Sequence, residues 1–314
     1  MNLIKVDSEP GKKEWYAVHI HLPHSHFDDY LRQVVRPAVY DNCLDGDFFF
    51  LRYWQGGSHL RIRYRLDDNE ISTSGRFLGQ LRDGIPKTDK RGNHEYAEAA
   101  QLQATLAKLE GEESLAIRPV GCVERMPYIP EVKKYGGTSG VNAAEQIFCS
   151  TSLEVLRLLM ERSRREAPQS PPLGEALYVA AMFLAGANLD VKDSISFLEH
   201  YEAWWSRYST AEHQAAWPRV FDRISGNLNA ICRKAWFNPP SDDPLFSLSS
   251  TIFKTLQNSG TTPATSLQVE GTPYLRCLSN YIHTTNNRLG LTPAGEALVA
   301  YLLRRSLTLE DQRD

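Results

Sequence analysis

The chain has 314 residues, enough for one large domain or two smaller ones, and 42% of them are hydrophobic, which suffices for an ordinary core. Its net charge is −3 and no long run of one sign occurs, so we expect no direct binding of nucleic acid. No apolar run reaches membrane-spanning length, and the first residues lack the apolar stretch of a signal peptide. The five scattered cysteines include no Cys-x-x-Cys pair, which favours a reducing compartment. We therefore expect a cytoplasmic protein without membrane contacts.

The first part of the chain predicts a small sheet with helices, in the ferredoxin-like order β-α-β-β-α-β. The predicted elements are a strand over residues 15–22, a helix over 26–40, a hairpin over 48–66, a helix over 69–81 and a strand over 115–128. Pro37 should kink or end the first helix early, because proline lacks the N–H that a helix needs. A polar insert precedes the last strand at residues 87–113 and should contain a helix at 96–109.

The predicted hairpin is the most informative stretch, with two extended segments joined by the turn sequence Gln-Gly-Gly-Ser. Side chains of its second strand alternate between two faces. One face carries His59, Arg61, Arg63 and Arg65, and the other carries Leu60, Ile62, Tyr64 and Leu66. Guanidinium groups on one face predict a carboxylate or phosphate site, because arginine holds two oxygens at once. A solvated strand face is the alternative, and the alternation by itself leaves both open.

The second part of the chain predicts helices, so that the whole chain is α+β. The apolar spacing predicts helices over residues 141–165, 175–187, 191–208, 210–236, 245–258, 274–287 and 293–307. Asp190 should cap the third of these and Gly290 should end the sixth, while residues 168–172 form a proline-rich break. We divide the chain into a sheet domain over residues 1–137 and a helical domain over 138–314, acting as one functional unit.

Histidines are concentrated between residues 19 and 26. His19 and His21 share one face of the predicted strand, and imidazoles two residues apart can bind zinc. No carboxylate or cysteine stands at partner spacing, so a polar strand end is the interpretation we favour, without a metal.

Two further segments carry groups suited to catalysis. Glu131 and Lys134 are three residues apart and could face one another on a helical turn, as a solvated linker. Alternatively, Glu131 pairs with the arginines of the hairpin. His283 and Asn287 lie on one face of a predicted helix, and histidine is the usual acid or base at neutral pH. A satisfied core or cap histidine is the alternative there.

Four separated motifs carry a family resemblance that spans the chain from about Trp15 to its end. In order they read FFFLRYWQGGSHLRIR, YIPEVKKYGG, AEQIF and HTTNNRLGL. Together they resemble the C-terminal domain family of class I lanthipeptide dehydratases. This family includes stand-alone proteins of the thiopeptide-type bacteriocin biosynthesis group.

The resemblance implies an elimination of glutamate from glutamylated serine or threonine of a precursor peptide, giving dehydroalanine or dehydrobutyrine. In this family the His-x-Arg-x-Arg arginines, here Arg61 and Arg63, suit carboxylate binding, and the histidine that matches His283 transfers a proton. The family motif Glu-x-x-Arg-Tyr-Gly-Gly falls on Glu131 and Lys134, with lysine where the family has arginine. Lysine keeps the charge but loses the two-pronged geometry. Candidate substrate-binding residues beside these positions are His59, Arg52, Arg65, Tyr135, Asn287 and Arg288, the last of which should organise its loop.

The resemblance also implies partners and alternatives. A ribosomal precursor peptide with its leader is the expected substrate, glutamylated by a separate glutamyl-tRNA-dependent protein. Thiopeptide pyridine synthases belong to the same family and join two dehydroalanines in a formal [4+2] aza-cycloaddition, with loss of water and leader peptide. Retention of Arg61, Arg63, Glu131 and His283 favours elimination, whereas Lys134 and the stand-alone length favour cyclisation. A non-catalytic peptide-binding scaffold is a third alternative. Neither chemistry requires a metal or organic cofactor.

Overall fold

A computed structural model describes residues 13–67, 70–164, 172–239, 241–257, 264–269 and 271–311. Two compact units divide the chain, Met1–Ile129 and Pro130–Asp314. The predicted joining segment, residues 128–137, contains this division. Much of the predicted proline-rich break at 168–172 lies outside the described residues. Within the described part of the chain, no helix is long and apolar enough to cross a membrane.

The first unit contains a four-stranded antiparallel sheet. Its strands are β1 (Glu14–His21), β2 (Phe48–Tyr53), β3 (His59–Leu66) and β4 (Val123–Met126). They follow the order β2-β3-β1-β4 across the sheet. The predicted first strand and the hairpin are confirmed, because alternating apolar residues and a glycine turn specify them locally.

The predicted strand over residues 115–128 is wrong over most of its length, since only β4 pairs with β1. Leu115 and Ile117 are exposed, and the backbone before Pro119 is hydrogen-bonded elsewhere. The Arg118 amide donates to the Gly56 carbonyl at 2.9 Å, and the Leu115 carbonyl accepts from a side chain of a neighbouring helix at 2.7 Å. The alternating apolar residues before Pro119 therefore belong to a loop that lies along the hairpin turn, and not to a strand.

The described residues of the first unit form four α-helices. They are α1 (Phe27–Tyr30), α2 (Arg36–Asp41), α3 (Ile71–Asp83) and α4 (Lys90–Glu110). A π-helical turn, Leu31–Val35, joins α1 to α2, so the helix continues past Pro37 to Asp41. This wider turn gives the proline ring room that a regular α-helix denies it. Tyr64 of β3 reaches α3, where its hydroxyl lies 2.9 Å from Ser74 Oγ.

The second unit is helical. Its helices are α5 (Gly137–Arg162), α6 (Leu173–Gly186), α7 (Val191–Trp205), α8 (Ala211–Cys232), α9 (Pro244–Leu256), α10 (Tyr274–Leu289) and α11 (Pro293–Asp311). A two-residue hairpin that the sequence did not predict, β5 (Gln268–Val269) with β6 (Thr272–Pro273), precedes α10.

The predicted helix ends are confirmed. The Asp190 carboxylate accepts a hydrogen bond from the Asp193 amide at 2.8 Å, which satisfies a backbone donor at the start of α7. Gly290 adopts φ = 86° and ends α10, as glycine can do without strain. These local signals place the short connection between α10 and α11, and that connection sets the position of the histidine described below.

Candidate functional site

The β3 arginines lie on one face of the sheet in the first unit. Strand register places Arg61 opposite His19 of β1 and Leu51 of β2, and places Arg63 opposite Ala17 and Phe49. We call the side chains of His59, Arg61, Arg63 and Arg65 the arginine face. The other face of β3 carries Leu60 and Ile62, both fully buried.

Arg61 is held by an aromatic ring and an imidazole. Its guanidinium carbon lies 3.2 Å from the centre of the Tyr53 ring, and its Nε donates to His59 Nε2 at 3.2 Å. His59 Nδ1 lies 2.7 Å from the Gly57 carbonyl, which can only accept, so this nitrogen carries the proton. His59 is therefore neutral. Burial lowers its pKa to about 3.

Two more histidines of β1 surround His59. The rings of His19 and His21 each lie 4.7 Å from the His59 ring. Burial lowers the pKa of His19 to about 2 and that of His21 to about 4. Among the described residues, no group of three histidine, cysteine or acidic side chains is arranged to hold a metal ion. These imidazoles form a neutral wall beside charged guanidiniums.

Arg63, Arg65 and Arg52 have different surroundings. Arg63 lies 5.8 Å from the Phe49 ring and 5.9 Å from the Tyr128 ring, as a cation over aromatic faces. Arg65 is paired with Asp47, with its Nη2 2.5 Å and its Nε 2.8 Å from Oδ1. Arg52 points to the opposite side of the sheet, because it pairs in register with Leu60, and its Nη2 lies 2.6 Å from Asp28 Oδ1.

In the second unit, Glu131 and Lys134 face one another as the spacing predicts. Lys134 Nζ lies 3.3 Å from both oxygens of Glu131, and the pair is partly exposed. The following residues build the turn into α5. Gly136 has φ = 74°, and a Cβ there would lie 2.1 Å from the Val269 carbonyl oxygen. Gly137 has φ = 83°, so both positions of the motif adopt the left-handed conformation that favours glycine.

Tyr135 and Arg288 lie in the core of this unit. The Tyr135 ring stacks on Tyr281 with 5.8 Å between centres, and both are nearly fully buried. Arg288 is fully buried, donates from Nη1 to Thr151 Oγ1 at 3.3 Å, and lies 4.9 Å from the Phe148 ring. Arg288 thus links α10 to α5, while Asn287 is half-buried one turn after His283.

His283 is paired with a carboxylate that the sequence did not single out. Its Nδ1 lies 2.7 Å from Glu296 Oε1, and its ring stacks on Trp205 with 4.5 Å between centres. Glu296 is 1% exposed, whereas the His283 side chain is 29% exposed. A carboxylate acceptor places the proton on Nδ1, so that Nε2 is left as the basic nitrogen.

Two other side chains donate hydrogen bonds to the second carboxylate oxygen of Glu296. The Tyr201 hydroxyl donates to Glu296 Oε2, and Asn286 Nδ2 donates to the same oxygen at 3.4 Å. Burial and the adjacent carboxylate raise the pKa of Tyr201 well above its usual range, so it stays a donor. A buried carboxylate with three donors is fixed in place.

His283 opens onto a pocket of about 700 Å³ within the second unit. Aromatic lining residues come from α7, namely Phe197, Tyr201, Trp204 and Trp205. Polar and charged lining residues include Lys134, Asp193, His200, Arg276, Asn280 and His283. We call this cavity the His283 pocket. It brings together two residues singled out from the sequence, Lys134 and His283.

Sequence reasoning missed Glu296, Tyr201 and Trp205. One signal was present for Glu296, which falls on the same helical stripe as Ala300, Leu303 and Leu307. Those three residues are fully buried. A carboxylate on an apolar stripe must find donors, and so it marks a built site.

This geometry suits proton transfer at a carbon acid. A neutral imidazole oriented by a carboxylate can accept a proton through Nε2, and Lys134 supplies a positive charge in the same pocket. Trp205 stacks on the imidazole and forms one wall of the pocket.

The chain belongs to the family described as lantibiotic biosynthesis dehydratase C-term, which it matches over residues 15–307. It is thus a member of a group of enzymes that modify ribosomally made peptides. A search of curated proteins found no match.

Solved structures with the same fold include enzymes of such pathways. The pyridine synthase TbtD from thiomuracin biosynthesis matches with a TM-score of 0.69 and 20% identity, over 96% of this chain and 99% of that one. TsrL matches with a TM-score of 0.60 and 16% identity, over 96% of both chains. The tRNA-dependent lantibiotic dehydratase MibB from Microbispora sp. 107891 matches with a TM-score of 0.58 and 18% identity, over 98% of this chain and 29% of that one. At these identities the likeness shows a shared fold.

Proposed function

We propose that the chain is a lyase that eliminates glutamate from glutamylated serine or threonine residues of a precursor peptide. The observation that carries this proposal is the His283–Glu296 pair at the edge of the His283 pocket, with Lys134 in the same lining. The elimination begins with loss of a proton from carbon, for which an oriented neutral imidazole is a suitable base.

The reaction balances without a further reactant. His283 Nε2 takes the proton from the α-carbon of the modified residue, and the electrons of that C–H bond form the Cα=Cβ double bond. The bond between Cβ and the ester oxygen breaks, and glutamate leaves with both electrons as a carboxylate. His283 then returns the proton to solvent. The product is dehydroalanine from serine or dehydrobutyrine from threonine.

Cations have two tasks in this chemistry, to stabilise negative charge on the peptide and to hold carboxylates. Lys134, which pairs with Glu131, supplies charge in the same pocket as His283. We propose that Arg61 and Arg63 of the arginine face bind the carboxylate that departs from Cβ, as the family motif implies. Arg65 and Arg52 already pair with Asp47 and Asp28, so we assign them to structure.

The substrate is then a leader-bearing precursor peptide that a separate glutamyl-tRNA-dependent protein has glutamylated. We also propose that the first unit is a ferredoxin-like module, on the basis of its strand order β2-β3-β1-β4 and its antiparallel pairing.

A pyridine synthase is the second candidate. In its support, the fold matches that of the pyridine synthase TbtD with a TM-score of 0.69, against 0.58 for the dehydratase MibB. Lys134 in place of arginine also favours it, since a cyclase has no glutamate to hold.

Mass spectrometry separates these candidates. The purified protein is incubated with a glutamylated peptide and, separately, with the same peptide already dehydrated. A lyase releases glutamate from the first peptide, and Arg61→Ala or His283→Ala leaves the glutamylated peptide intact. A cyclase changes the second peptide and frees a leader fragment. A peptide-binding scaffold retains the leader but changes neither mass.

A further inference from the structure

Helix α10 turns a polar stripe toward the His283 pocket. Arg276, Asn280 and His283 all line the cavity, at spacings of four and three residues that place them on one helical face. Arg276 begins this stripe two turns before the imidazole. The sequence alone did not mark it, because no recognised motif contains it.

Two cations, Lys134 and Arg276, and one acid, Asp193, line the pocket. Lys134 is balanced by Glu131 at 3.3 Å. Asp193 is the acidic residue among those that line the cavity. Among the ion pairs of the described residues, none involves Arg276, and this residue is exposed to the cavity and solvent. An arginine that lines a concave cavity is suited to binding a planar anion.

We propose that Arg276 binds the carboxylate of the glutamyl group that remains charged throughout the reaction. This inference rests on the proposed elimination and adds the residue that recognises its leaving group. Arg276 and His283 are separated by about 10 Å along the helix axis, from seven residues at about 1.5 Å each. A glutamyl chain and an arginine side chain together span that separation. The reacting carbon can thus lie at His283 while the distal carboxylate lies at Arg276.

Arginine fits this task better than lysine would. A guanidinium donates two parallel hydrogen bonds to one carboxylate and so distinguishes a carboxylate from a neutral amide of the same shape. A glutaminyl ester differs from a glutamyl ester only in having this neutral amide in place of the free carboxylate. The pocket should therefore discriminate between the two acyl groups through Arg276.

The test compares glutamyl and glutaminyl esters of one serine in one peptide. Wild-type protein should eliminate the glutamyl group with kcat/KM about tenfold or more above that for the glutaminyl group. Arg276→Gln should bring this ratio close to one, chiefly by slowing the glutamyl ester. Arg276→Lys should keep part of the preference. Arg219→Gln, which removes an exposed arginine of α8 outside the pocket, should leave the ratio as in the wild type.

Equal slowing of both esters by Arg276→Gln would overturn the proposal, since it would indicate a structural role. A second measurement is independent of turnover: binding of free glutamate and free glutamine by isothermal titration calorimetry. Glutamate should bind more tightly to the wild type than glutamine, and Arg276→Gln should abolish the difference. If the wild type eliminates neither ester but binds glutamate through Arg276, the lyase function fails and the carboxylate site stands. If glutamate binding does not depend on Arg276, the site fails.

Discussion

His283 and Glu296 lie on consecutive helices, α10 and α11, with the imidazole Nδ1 and the carboxylate Oε1 2.7 Å apart. Glu296 is buried and His283 reaches the pocket, so the pair joins a fixed carboxylate to an accessible base. The short turn at Gly290 makes this contact possible.

We predict that Glu296→Gln lowers kcat for glutamate release by about 10- to 100-fold with little change in KM. The amide keeps the shape but can present its N–H to the imidazole, which no longer fixes the proton on Nδ1. Single-turnover release of glutamate measures the effect. Tyr201→Phe removes one donor to the same carboxylate and should have a smaller effect in the same direction. Wild-type kcat in Glu296→Gln would show that the pair has no role in proton transfer.

Variants at Lys134 and Glu131 distinguish the role of the lysine charge from the role of the Glu131–Lys134 ion pair. Lys134→Met should lower kcat/KM by about tenfold or more, because it removes a cation from the pocket. Lys134→Arg should retain activity. Glu131→Gln should have a slight effect, because the Glu131–Lys134 pair is partly exposed and exposed pairs contribute about 1 kcal/mol or less. Full activity in the methionine variant would contradict the assigned role.

The buried histidines predict acid sensitivity of the first unit. Burial lowers the pKa of His59 from 6.5 to about 3, so the folded protein keeps this ring neutral where the unfolded chain protonates it. The unfolded state therefore binds more protons below about pH 6.5, and stability falls as pH decreases from there. His19 and His21 act in the same direction.

Thermal unfolding between about pH 7.5 and 5 measures this dependence, above the range in which most carboxylates titrate. His59→Gln should unfold with a shallower dependence of Tm on pH than the wild type. His94→Gln, which changes an exposed histidine of α4, should keep the wild-type slope. Identical slopes for His59→Gln and wild type would show that the histidine cluster does not set the acid sensitivity.

Two glycines offer a matched test of backbone strain. Gly136→Ala should destabilise the fold by about 2 kcal/mol or more, because φ is 74° and the new Cβ would clash with the Val269 carbonyl. Gly226→Ala, in the exposed interior of α8 with open space around it, should stabilise by about 0.5 to 1 kcal/mol. Urea unfolding measures both changes. A Gly136→Ala variant as stable as wild type would contradict the described turn.

Elements set by local signals could be predicted from the sequence. The hairpin turn, the Asp190 cap and the Gly290 helix end depend on residues a few positions apart. The segment before β4 misled the prediction, because apolar alternation also suits a loop that packs along a turn. The π-helical turn before Pro37 was not predictable from spacing, since the α-helical pattern continues through it.

The site was only partly accessible to sequence reasoning. His283 and Lys134 stand in recognisable motifs, and both line the His283 pocket. Glu296 and Trp205 enter through the packing of α7 against α11, which brings both side chains to His283 of α10 and depends on tertiary structure. Arg65 and Arg52 were candidate substrate-binding residues, and each has a carboxylate partner, Asp47 and Asp28, on a segment that sequence spacing does not bring close.

The most direct test of the account is mass analysis of a glutamylated precursor peptide after incubation with wild-type protein and with His283→Ala. We predict that the wild type releases free glutamate and leaves a dehydrated residue, while His283→Ala leaves the glutamylated mass unchanged. If the wild type leaves the glutamylated peptide intact and instead converts a dehydrated peptide with loss of a leader fragment, the elimination mechanism is contradicted.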